Sequence, residues 1–237
     1  MLNLHPGVQV ALDRLNMDEL GVARAMAAGR LSSPQRYENI WLFAIRITGT
    51  GVAYRHGRKE FVWRDPAIYL NDEFLARCNG LAVIWEHPEK SLLNGKEYTE
   101  RAIGSIFLPY LRPDRADEVW GIAKIHDEGA AKDMDENPMS TSPAVNFADP
   151  TENDRVKLEG GKVMLIEGSP SVIDHVAICP AGVWDKSGPP NGVESMNAVA
   201  EAMADSVVIP APAGLDRINL LRAYAGALQL RASIHGR

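Results

Sequence analysis

Apolar side chains recur at helical spacing near the start of the chain: Val8, Val10, Leu12, Leu15, Leu20, Val22, Ala25 and Met26. Gly29 stands where such a helix would stop, so residues 8–30 predict one or two short helices forming an arm. Ser32, Ser33 and Pro34 then break the pattern. From residue 40 the period shortens from about 3.6 to 2, the alternation of a strand with two unlike faces. Residues 40–54 predict a strand pair turning at Gly49-Thr50-Gly51, and 61–63 a short strand ended by Arg64-Asp65-Pro66. Residues 66–78 predict a helix with Pro66 in its first turn. Strands are predicted at 81–85, 103–111, 118–126, 140–147, 162–166 and 171–179, with a helix at 127–134.

Many short strands with few helices between them predict an α+β, mainly β domain. The pattern fits a β-barrel or an α+β arrangement, not a doubly wound parallel sheet, which needs a helix after almost every strand. This domain is placed at 36–186, with 1–35 as a helical arm. Ser187-Gly188-Pro189-Pro190-Asn191-Gly192 reads as a linker by composition. Beyond it, 193–204 is Ala- and Met-rich and reads as helical, Pro210 and Pro212 interrupt, and 215–232 is an amphipathic helix. Residues 187–237 are therefore read as a linker and helical tail, whose apolar stripe needs a covering surface on its own domain or on a partner subunit.

Composition narrows the function classes. A chain of 237 residues, 46% hydrophobic, can bury one sizeable core. A net charge of −6 argues against a broad nucleic-acid-binding face. No run approaches the roughly 18 apolar residues of a membrane span, and the first residues lack the basic and apolar regions of a signal peptide. The expectation is a soluble intracellular protein, bound to neither nucleic acid nor membrane. Cys78 and Cys179 have no metal-ligand spacing and read as buried apolar residues in a reducing compartment. No cofactor is expected.

The chain holds six histidines. His5 and His235 fall in the arms and His56 in a polar turn, which reads them as solvated. His87 directly follows the apolar run LAVIW and precedes Pro88, so it stands at a strand end where the chain turns. His175 lies in VIDHVAICPAG. Strict alternation there puts Ile173, His175 and Ala177 on one face and Asp174, Val176 and Ile178 on the other. In MSTSPAVNF, Ser140 and Ser142 share a face, and spacing does not choose between them. A serine hydroxyl needs a base within hydrogen-bond reach, and the base needs a third group to fix its tautomer. Histidine suits the base role because its pKa lies near working pH.

IWEHPE, STSPAVNF and IDHVAICPAG, in that order, together with GIAKIHDEGAA, resemble the pattern of tailed-phage prohead (capsid maturation) serine proteases, relatives of the herpesvirus assemblins. The resemblance covers roughly residues 44–186. It implies His87 as base, Ser142 as nucleophile and His175 as third member, a Ser-His-His site of the assemblin kind. Ala144 and Val145 stand where that pattern usually has a glycine and an aromatic residue. The resemblance further implies a closed, assemblin-like β-barrel with flanking helices, and a homodimer or higher homo-oligomer. Its substrates would be phage scaffold and major capsid protein, cleaved inside the assembling procapsid in the bacterial host cytoplasm. A neutral second histidine can orient the base but lends it no charge, so catalysis is expected to be slow. The alternative is a non-catalytic capsid-assembly or scaffolding protein on the same barrel. A metal-dependent hydrolase using His87, His126 and His175 lacks any HExxH-type spacing.

Overall fold

The computed structural model describes residues 17–88, 92–148, 153–158 and 161–195. The fold is mixed α+β, with most of its ordered residues in strands. Strands β1 (Gln35–Tyr37), β2 (Ile40–Gly49), β5 (Ala82–Trp85), β6 (Ala102–Arg112), β7 (Arg115–Ile125), β8 (Ser140–Asn146) and β11 (Val172–Cys179) form one seven-stranded sheet, in the order β1-β2-β7-β6-β5-β11-β8. Strands β3 (Gly51–Arg55), β4 (Glu60–Arg64), β9 (Asp154–Lys157) and β10 (Val163–Glu167) form a second sheet, in the order β3-β4-β10-β9.

The apolar pattern of β2 explains its central place. Phe43, Ile45 and Ile47 face the main core, together with Ile106, Val119, Ile125, Val176 and Ile178. Ile40, Leu42 and Ala44 face the other way, onto Trp120, Ile122 and helix α1 (Glu19–Ala27). A strand covered on both sides reads as a continuous apolar run, which is how IWLFAI reads. Helix α1 begins where the Asp18 carboxylate accepts from the Gly21 N–H, and ends at Gly29, whose φ of +67° only a residue without a side chain adopts freely. Residues 1–16, where most of the predicted arm falls, lie outside the described residues.

Residues 66–78 form two helices instead of one: α2 (Pro66–Tyr69) and α3 (Asp72–Cys78). The break is at Asn71, which leaves helical geometry to cap α3 through its Oδ1 and the Phe74 N–H, 2.9 Å apart. Helix α4 (Gly95–Arg101) has a polar sequence with no apolar period, and Asn94 caps it. Helix α5 (Glu128–Glu136) buries Ala130, Ala131 and Met134 against the main core.

The expected closed barrel is not formed. Strand β2 leaves the large sheet at Gly49 and continues as β3 in the second one, so β1 and β8 remain as edges. The seam between β2 and the start of β8 is crossed by residues 192–194. The Arg46 N–H donates to Gly192 O at 2.7 Å, the Glu194 N–H to Ala44 O at 3.0 Å, and the Val193 N–H to Met139 O at 3.1 Å. A Cβ on Gly192 would stand 2.4 Å from the Thr141 nitrogen, so the segment approaches β8 too closely for a side chain there.

Of the Gly/Pro-rich stretch read as the start of a linker, residues 187–189 are exposed, while Gly192 and the following Val193 and Ser195 are buried in this body. Val193, expected to open a helix, instead pairs with Ile45 as a β-bridge. Beneath it, the buried guanidinium of Arg46 reaches Glu118 (3.0 Å), Asp185 (2.5 Å) and Asn191 (2.6 Å). The predicted 215–232 helix lies outside the described residues.

Candidate active site

The site forms where β5, β8 and β11 lie side by side. Strand β11 runs parallel to β5, pairing His175 with Ala82 and Ala177 with Ile84. On its other edge it runs antiparallel to β8, pairing His175 with Ala144, Ala177 with Ser142 and Cys179 with Ser140. Directly opposed residues of paired strands share a face, so Ser142 lies on the side of the sheet that carries His175.

His87 reaches this face through a turn at the end of β5. Glu86 adopts a φ of +57°, the left-handed region that costs a non-glycine residue about 1–2 kcal/mol. The Glu86 N–H donates to Ile178 O at 3.0 Å, anchoring the turn on β11. His87 Nδ1 then lies 3.1 Å from His175 Nε2. Two of the three residues singled out in sequence are therefore in hydrogen-bond contact. His87 and Ser142 line one cavity of about 680 Å³. Its walls include Pro88, Leu92, residues 142–146 of β8 with the following Phe147, and Arg55, Arg155, Leu165 and Trp184 from beyond the large sheet.

The two candidate serines occupy different environments. Ser140 is fully buried, and its hydroxyl donates to the Asp185 carboxylate at 2.7 Å. Ser142 is half-buried and opens on the cavity. Ser140 belongs to the Arg46 network, a structural setting. Among the described histidines, His56 is exposed, and His126 is also exposed, lining a separate cavity with Tyr98 and Ser105. Among the described residues no group of three or more His, Cys, Asp or Glu is arranged to hold a metal ion. No described helix is long and apolar enough to cross a membrane.

Strict alternation fails at one consequential point. The pairing of β11 with β8 shifts between Ile173 and His175, leaving Asp174 as the extra residue of a β-bulge. The bulge turns the Asp174 carboxylate toward His175, whose Nδ1 lies 2.7 Å from Asp174 Oδ2. The same oxygen accepts the Leu93 N–H at 2.9 Å. Asp174 was assigned from sequence to the opposite face, and nothing in the alternation of VIDHVAIC marks the bulge.

Burial and the neighbouring His175 ring hold the His87 pKa below the ordinary imidazole value. The residue is exposed at the cavity mouth, with its Nδ1 engaged by His175. The second sheet supplies the facing wall. Arg64 lies between the rings of Tyr69 (5.0 Å) and Trp184 (4.9 Å), and with Arg55 it brackets the buried Glu167. Burial alone would raise the pKa of Glu167, but the Arg64 and Arg55 guanidinium groups outweigh it and hold the carboxyl below its usual range. The sequence predicts strands at 61–63 and 162–166 but gives no sign that Arg55, Arg64, Leu165 and Glu167 would face the site from a second sheet.

No protein-family model matches the chain, and neither do the curated proteins or solved structures compared with it.

Proposed function

We propose that this chain is a serine endopeptidase of the prohead maturation type, with Ser142 as nucleophile and His87 as general base. The observation that supports this reading best is the 3.1 Å hydrogen bond between His87 and His175 beside a cavity that Ser142 also lines. In this reading His87 Nε2 takes the proton from Ser142 as its oxygen attacks the scissile carbonyl. The imidazolium formed passes that proton to the leaving amine. Water then hydrolyses the acyl-serine by the same steps, His87 again acting first as base and then as acid.

The form of the cavity suits a protein substrate. Strand β8 is an edge of its sheet, and residues 142–147 run along the cavity. An edge strand can accept an extended segment by main-chain hydrogen bonds, which would carry a peptide bond past Ser142. The substrates proposed are scaffold and major capsid protein within the assembling procapsid in the bacterial host cytoplasm, with the enzyme working as a homodimer or higher homo-oligomer. This assignment of partners and place rests on the resemblance of the three motifs.

The test is labelling with a fluorophosphonate, which reacts with an activated serine. Stoichiometric labelling of Ser142, lost in Ser142→Ala and in His87→Ala, is the expected result. A folded protein that takes no label would leave the non-catalytic assembly role as the better reading.

A further inference from the structure

The geometry points to Asp174 as a positioning residue that makes the pair of histidines directional. A carboxylate only accepts, and Asp174 Oδ2 already accepts from the Leu93 N–H at 2.9 Å. The contact of 2.7 Å with His175 Nδ1 therefore places a proton on that nitrogen. His175 is then left with an unprotonated Nε2, which accepts from the Nδ1–H of His87 at 3.1 Å. His87 in turn presents an unprotonated Nε2, the atom a general base needs. One carboxylate thus fixes two tautomers in series, as a carboxylate does for a single histidine in a serine triad.

The placement suits this role. His175 is fully buried, so its ring cannot exchange partners with water, while the Asp174 side chain keeps about 18% of its surface exposed. The bulge makes the contact possible, since in regular alternation Asp174 would project from the other face. The sequence-based expectation of a neutral second histidine lending the base no charge changes accordingly. When His87 takes a proton, Asp174 stabilises the positive charge shared along the pair.

The catalytic consequence rests on the proposed protease reading, but the tautomer assignment does not, so the experiment reads both. In ¹⁵N-labelled full-length protein, the imidazole ¹⁵N shifts of His175 are expected to report a protonated Nδ1 and a bare Nε2. A His175 protonated at Nε2 in the wild type overturns the inference without any variant. In Asp174→Asn, which keeps size and shape, that pattern is expected to be lost. The His87 titration midpoint is expected to fall further, because the stabilising anion is gone. The other ionisable groups near the pair are Glu86 and, on the cavity walls, Arg55, Arg58, Arg64, Arg155 and Glu167, all unchanged in the variant.

On a peptide substrate, kcat is expected to drop about 10- to 100-fold with KM within about 2-fold, and the acid limb of the pH profile to move to lower pH. An unchanged His87 titration and acid limb, with a lowered melting temperature alone, would mean that Asp174 merely anchors Leu93. A wild type that neither cleaves nor takes the fluorophosphonate defeats the protease reading, and the imidazole shifts still decide the role of Asp174.

Discussion

His87 and His175 are separated by 88 positions in sequence and meet ring nitrogen to ring nitrogen at 3.1 Å. The parallel pairing of β5 with β11 sets Trp85 beside Ile178, three residues beyond His175, and the turn at Glu86 carries His87 back to that ring. Burial, with the adjoining His175 ring, holds the His87 pKa below the ordinary imidazole value.

The lowered pKa of His87 fixes two pH dependences. In the folded protein His87 binds its proton less tightly than in the unfolded chain, so protonation favours unfolding. Its contribution to stability is present above about pH 6.5, the ordinary imidazole value, and is lost as the pH falls through the depressed value in the fold. Activity follows the same group, since only neutral His87 can act as base. The acid limb of kcat/KM is expected below pH 6.5 and should vanish as a distinct step in His87→Ala, whose residual rate is read over the same range. An acid limb at or above the ordinary value in the wild type would contradict the assignment of His87.

Ser140 and Ser142 should separate stability from chemistry. Ser142→Ala removes a hydroxyl on the cavity wall, so the melting temperature is expected to hold while cleavage and labelling fall by several orders of magnitude. Ser140→Ala removes a buried donor to Asp185. Because Asp185 is charged, the substitution is expected to cost about 1.5–3 kcal/mol in denaturant unfolding while labelling persists. The reverse pattern would identify Ser140 as the reacting serine.

Glu86 offers a test of the turn that presents His87. Glycine adopts φ near +57° without strain, so Glu86→Gly is expected to leave stability within about 1 kcal/mol and labelling intact. A β-branched residue is strongly disfavoured there, and Glu86→Val is expected to lower both the melting temperature and the labelling rate. Equal behaviour of the two variants would show that the side chain, not the backbone angle, matters at this position.

Much of this was legible because one rule at a time governed each segment. The apolar and β-branched runs at 40–54, 118–126 and 171–179 marked these segments as strands, and Gly29 marked the end of α1. Strand-end placement drew attention to His87. What was not legible depended on relations between segments. The bulge at Asp174 is set by the register of β11 against β8, which no single strand reveals. The open sheet follows from β2 crossing into the second sheet, a choice made by β4 and β10 pairing around residues 61–64 and 164–167. Asn71 is a helix breaker only because it caps α3. The segment 187–192 has the composition of a linker, yet Gly192 at its end lies against β8, because glycine allows close approach as readily as it allows disorder.

That last difference can be tested by where the chain is cut. Composition alone places a cut after Lys186 at the edge of the folded body and makes it harmless. The structure makes it costly. It removes Val193, which is 5% exposed and packs in the main core, and Asn191, which accepts from Arg46 at 2.6 Å. It also removes the main-chain bonds from 192–194 that cross the seam between β2 and β8. Losing the valine should cost about 1.5–3 kcal/mol, and the Arg46 contact about another 1.5–3, because Arg46 is charged. A cut after Ser195 keeps all of these contacts. The protein ending at Lys186 is therefore expected to melt well below the one ending at Ser195, by about 5 °C or more. Gly192→Ala in the full chain should shift the melting temperature in the same direction, because its new methyl group meets Thr141. Equal melting temperatures for the two truncated proteins would return residues 187–195 to the role of a linker.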